Sequence, residues 1–225
     1  MAKENEHGRI IAAAAKAALL PLGCHRHGRS RVWIADQGFW IIVIEFQPSG
    51  FAKGSYLNVG AMWLWYVKDH WTFDYGNRVA DFEAFQSAVQ FTPLAESLAA
   101  RAAQEVQALR QKFSSLSDVA GHLTAHVADP EQPQWWPTYH AAVAAGIAGD
   151  VTTSKQLFRR IEECSAACDW QRKLQSDSSV LAEQLDRATK FHASVLAVVE
   201  QSRALLGLPP NLDNLEANVM PQAPR

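Results

Sequence analysis

Arginine grips oxyanions with a planar fork of N–H donors. Arg29 and Arg31 sit in the basic run Cys24-His25-Arg26-His27-Gly28-Arg29-Ser30-Arg31, just ahead of Trp33. With Gln47 and Asn58 supplying amides from neighbouring strands, this end of a sheet could hold a small anion, Trp33 adding a ring. The competing reading is a solvated loop. Trp63, Trp65, Tyr66 and Trp71 form a second concentration of aromatic side chains. They suit stacking on the rings of a ligand, or burial in a core or interface, where each such side chain removes ~150–250 Å² from water.

Metal chemistry has two weaker footholds. His122 and His126 are four apart on a predicted helix, the spacing that puts two imidazoles on one face. No Glu lies between them and a third ligand would have to come from elsewhere, so no metal is expected and these two are only candidates. Cys164-x-x-x-Cys168 could combine with Cys24-x-x-His27 as four zinc ligands. The alternative is buried cysteine behaving as a small hydrophobe. Neither a Gly-x-Ser-x-Gly elbow nor a phosphate-binding glycine loop occurs, so no catalytic residue is assigned and no cofactor is expected. Glu45 interrupts an apolar strand. A buried carboxylate needs a partner or a raised pKa, and exposure near the strand's end is the simpler account.

The elements that must position these residues follow from periodicity. Residues 31–35 and 39–47, split by Asp36-Gln37-Gly38, read as a β-hairpin. Along the second strand Trp40, Ile42, Ile44 and Phe46 alternate with Phe39, Ile41, Val43 and Glu45, so both faces are apolar and the strand belongs in the middle of a covered sheet. Residues 56–65 form a third strand, 72–75 a possible fourth, and 81–90 a short helix. Leu94, Leu98, Ala102, Val106, Leu109 and Phe113 mark an amphipathic helix, and a shorter one over 118–128 is capped at Ser117-Asp118. After a break at 129–137, residues 139–148 and 151–168 make a helical hairpin. Gly149 is its left-handed stop, Asp150 the next cap, and Ala141, Ala144, Ala145 and Gly146 allow close helix approach. A final helix over 170–206 would span roughly 55 Å unbroken, so a kink, a break near 175–179, or a helix shared with a partner chain is expected.

The fold class is therefore α+β: an antiparallel three- to four-stranded sheet packed with helices, followed by a mostly helical C-terminal region. Residues 1–115 are the α+β domain, 116–208 the helical region and 209–225 a loose tail. The composition supports a sizeable core, with 48% apolar and 20% charged residues in 225. A net charge of -2 lacks the basic excess of a nucleic-acid binder. Three cysteines are no disulfide framework and point to a reducing compartment. Residues 10–23 could pass for a lipoprotein-type leader, but Lys16 and Pro21 favour an amphipathic helix over 6–20. No apolar run reaches the ~18 residues of a membrane span, so a cytoplasmic protein is expected.

Three pieces carry a resemblance: Leu22-Gly23-Cys24 leading into Arg29-Ser30-Arg31-Val32-Trp33; Ile44-Glu45-Phe46-Gln47-Pro48-Ser49; and Tyr56-Leu57-Asn58-Val59-Gly60. Over its first half the chain resembles the uncharacterised bacterial DUF4304 family, which implies an α+β fold and a bacterial origin but no activity. Cys24 stands where that family tends to have an aromatic residue. The leading functional expectation is a non-enzymatic interaction or binding protein, its partner unknown or a second copy of itself. The alternative is an enzyme or anionic-ligand binder using Arg29, Arg31, Gln47 and Asn58.

Overall fold

The computed structural model describes residues 6–127 and 134–211. It is α+β, with a five-stranded antiparallel sheet and a mostly helical C-terminal part. No helix among the described residues is long and apolar enough to cross a membrane. By compactness the chain divides into two units, Met1–Met62 with Trp71–Gln111, and Trp63–His70 with Lys112–Arg225.

The first unit opens with α1 (Glu6–Leu19), ended by a 3-10 turn at Leu20–Leu22. The sheet follows in chain order, β1 (His25–Arg26), β2 (Val32–Asp36), β3 (Trp40–Glu45), β4 (Gly54–Trp63) and β5 (Tyr75–Ala84). As the alternation requires, β3 is the central strand, and Trp40 through Ile44 are all buried. One face carries Trp33, Ala35, Ile42 and Ile44. α1 and α2 (Ala88–Lys112) supply the apolar stripes that close the core, including Ile11, Ala15, Leu98 and Val106. At Gly60 of β4 the Tyr75 carbonyl oxygen would stand 2.2 Å from an added Cβ, with the Phe73 ring at 3.0 Å, so only glycine fits.

The sheet is larger than expected. Residues 81–84 are not helical; β5 runs on to Ala84 and α2 starts only at Ala88. The register of β5 on β4 slips twice, between Ser55 and Leu57 and between Leu57 and Asn58. Bulges scramble the period-two pattern by which a strand is read, and they also blunt an edge strand against pairing with other chains.

In the second unit α3 (Leu116–His126) is capped by Ser115 rather than Ser117-Asp118. The Ser115 hydroxyl accepts from the Asp118 amide at 3.1 Å. The break expected at 129–137 falls, as far as 133, outside the described residues, and so does the tail from 212 on. α4 (Trp135–Ile147) is buried on nearly all sides from Thr138. Gly149 takes φ +90°, and the Asp150 carboxylate accepts from the Thr153 amide at 3.0 Å to cap α5 (Val151–Glu163).

The last helix is two. α6 (Asp169–Ala182) passes unbroken through Gln175 and Ser179, and the interruption comes later, before α7 (Ala188–Leu205). The polar pair is not a breaker because it is used sideways. Gln175 Nε2 donates to the carbonyls of Ile161 and Cys164 (3.0 and 2.7 Å), and Ser179 Oγ donates to Glu162 Oε1 (3.0 Å). Gln175 thereby satisfies C-terminal carbonyls of the kind every helix leaves orphaned. α5 also stops earlier than expected, at Glu163. Cys168 is the residue before α6, its amide donating to Gln171 Oε1 at 3.2 Å.

Candidate functional site

The predicted anion site does not assemble as a unit. Arg29 lies exposed in the turn before β2, and its carbonyl accepts from Arg26 Nη2 at 3.0 Å. Arg31 is half-buried, its Nη1 donating to the Gly54 carbonyl at 3.1 Å. Trp33 is buried; it pairs with Ile44 and belongs to the core, not to a ligand surface. Gln47 and Asn58 do meet. Asn58 Nδ2 donates to Gln47 Oε1 and to Glu45 Oε2, both at 3.0 Å.

Two residues that sequence reasoning did not place here complete this network. Arg78 Nη2 donates to Gln47 Oε1 at 3.1 Å while its guanidinium lies 3.9 Å over the Tyr56 ring. Glu45 is therefore partnered by an amide. The amides and Arg78 satisfy one another, and the result reads as a polar clasp across β3, β4 and β5. Cavities lined by α1 and α2, by α4 and α5, and by α6 and α7 include none of the five predicted residues.

The aromatic reading is corrected in part. Trp63 and Trp65 are fully buried and stack on each other at 5.1 Å and 7°. The Trp65 indole N–H donates to His140 Nδ1 at 3.0 Å. Neither offers a face to a ligand, while Tyr66 and Trp71 are half-exposed.

His122 and His126 are both exposed on α3, and the His122 ring meets the edge of Phe113 at 5.8 Å. Among the described residues no three His, Cys, Asp or Glu side chains gather as a metal would need. Cys24 is wholly buried in the first unit, where burial pushes its thiol up. Cys164 and Cys168 flank the α5–α6 turn of the second.

The strongest candidate site lies within the second unit. α6 packs on α5 and α7 on α4. Between α6 and α7 a cavity of about 530 Å³ remains. Its floor is Tyr139 and Leu181, both buried. The Tyr139 hydroxyl donates to the Trp65 carbonyl at 3.0 Å, so a buried phenol is satisfied and fixed; burial drives its pKa far upward. Val67, Val180 and Val198 form apolar walls. Val180 is 56% exposed, so a ligand in the groove would cover apolar surface.

Each end of the groove has a polar pair. Lys173 Nζ binds Asp177 Oδ2 at 2.7 Å and stands 5.8 Å from the Tyr66 ring. At the other end Ser194 Oγ donates to Gln184 Oε1 at 2.5 Å. Burial raises the Tyr66 phenol above its ordinary range; Lys173 opposes that and Asp177 adds to it. No family model matches the chain, and no curated protein or solved structure is significantly similar to it.

The Lys173–Asp177 spacing is visible in the sequence as an i,i+4 pair. Its meeting with Tyr66 is not, because Tyr66 comes from the segment that follows β4.

Proposed function

We propose that the protein is a non-enzymatic binding protein whose ligand enters the groove between α6 and α7. The carrying observation is the cavity itself, about 530 Å³ with an apolar floor and convergent polar groups at its ends. Small-molecule sites are of this kind, ~300–1,000 Å³ and mostly apolar with a few placed polar groups. The reading includes a cytoplasmic location, supported by three cysteines that are all free.

Titration with Nile red, a neutral apolar fluorophore, tests it. The intact protein should enhance the dye's emission saturably. Val180→Gln combined with Val198→Gln, which puts amides into both walls, should weaken binding about tenfold or more, the scale of losing two buried aliphatic contacts. Equal affinity in the double variant would remove the groove from the account.

A second reading, association with a protein partner or a second copy, is favoured by Phe51. It stands wholly exposed in the connection between β3 and β4, where a large aromatic has no structural task.

A further inference from the structure

A cation already sits at the mouth of the groove. Lys173 Nζ is 2.7 Å from the Asp177 carboxylate and 5.8 Å from the Tyr66 ring centroid. That is the arrangement by which proteins hold ammonium groups, a negative charge on one side and an aromatic quadrupole within ≈ 6 Å on another. Yet Lys173 holds its place weakly. Its side chain is 66% exposed, the pair is an ordinary surface i,i+4 contact, and the stem is flexible. Behind the ammonium the groove turns apolar, with Leu181, Val180 and Val198.

We propose that the groove binds a small apolar molecule bearing a cationic head, and that Lys173 fills the head's seat until the ligand displaces it. The inference rests on the groove reading above and adds the chemistry of the ligand. A ligand ammonium replaces one cation by another between Asp177 and Tyr66, and its hydrocarbon body covers Val180 and Leu181, which Lys173 cannot reach from the rim. The displaced lysine swings into water, where it is fully solvated. A carboxylate head is a worse fit. To pair with Lys173 it must lie beside Asp177, and like charges at that range repel.

Calorimetric titration with three probes of equal chain length decides the matter: hexyltrimethylammonium, 1-hexanol and hexanoate. The cation should bind about tenfold more tightly than the alcohol, and hexanoate more weakly than either. Asp177→Asn should abolish the preference for the cation over the alcohol. Lys173→Met, which empties the seat while keeping the stem, should raise cation affinity several-fold and widen the cation's advantage over the alcohol. Hexanoate binding as well as the cation would overturn the proposal. So would a cation preference that survives Asp177→Asn, or a Lys173→Met variant that binds the cation less well. The two levels separate cleanly. If alcohol and cation bind equally and the Val180→Gln, Val198→Gln variant loses both, the groove stands and the head-group assignment falls. If no probe binds, or all bind the wall variant normally, both fall.

Discussion

Two glycines in exposed and buried helices should respond to the same substitution with opposite signs. In α3 Gly121 is exposed and an added Cβ would meet nothing within 4 Å. Gly121→Ala therefore gains only the helix propensity difference, about 0.8–1 kcal/mol of stabilisation. In α4 Gly146 is buried, and its Cβ would stand 2.7 Å from two Phe191 ring carbons and 2.9 Å from Ser154 Oγ. Neither neighbour can step aside cheaply. Phe191 is 1% exposed, and Ser154, fully buried, has its hydroxyl committed to the Ala142 carbonyl at 2.8 Å.

Overpacking of this kind typically costs about 1–3 kcal/mol. Set against the same propensity gain, Gly146→Ala should come out destabilising by about 1 kcal/mol. For a chain of this size that is about 2–4 °C in Tm. Thermal melts followed by far-UV ellipticity and by tryptophan fluorescence would read both variants against the parent. Phe191→Leu should recover part of the loss in the Gly146→Ala background although it is itself destabilising, because the two sites share one contact. If Gly146→Ala melts as high as Gly121→Ala, the close packing of α4 against Phe191 and Ser154 is wrong.

Acid should weaken the first unit through His7. Burial, then the positive charges of Arg31 and Lys53, hold the His7 imidazole below its ordinary value of 6.5. The unfolded chain thus binds a proton before the folded one does, so stability is full above pH 6.5 and falls as pH drops from there toward the lowered value. His7→Phe keeps a ring against Phe85 and Phe91, 5.5 and 6.5 Å away. Urea midpoints between about pH 5 and 7 should then show a shallower slope than the parent's; an unchanged slope would clear His7 of the role. Phe51→Ser should leave stability within about 0.5 kcal/mol, as exposed substitutions do. Sedimentation equilibrium of parent and variant tests the association reading, in which the parent gains mass with concentration and Phe51→Ser does not. Equal masses at every concentration would sink self-association through this residue.

Local patterns made some of this architecture legible. Trp40 to Phe46 is greasy on both sides, and only a central strand tolerates that. Gly149 and Asp150 mark a helix stop and the next start because a left-handed residue and a side-chain acceptor are each needed at one place. What could not be read depends on partners distant in the chain. β5 carries Arg78, Asp81 and Glu83 and slips register twice on β4, so its alternation is broken where a reader would look for it. That α6 runs unbroken through Gln175 and Ser179 follows from where those side chains spend their hydrogen bonds, at the end of α5, and polarity alone suggested a break. Trp33 was not legible: Val32 and Ile34 on the other face are as apolar as it is, so only the structure, where Trp33 and Ala35 are buried and Val32, Ile34 and Asp36 half-exposed, assigns it to the core.

The fate of the arginines explains why the anion reading gives way to the groove. A guanidinium recognises an anion well when its N–H donors are free to converge on it. Here Arg31 donates to the Gly54 carbonyl and Arg78 to Gln47 while lying on Tyr56. Asn58, the amide between them, gives both of its donors to Glu45 and Gln47. Freeing Asn58 for a ligand takes its donor from the half-buried Glu45 carboxylate, a cost of about 1–3 kcal/mol that the new contact must first offset. The groove asks for less. Its ligand need displace only one exposed, weakly held ammonium, and it covers Val180, an aliphatic side chain otherwise left to water. On energetic grounds the polar clasp on the sheet is committed to folding, and the gap between α6 and α7 is the better place to test for binding.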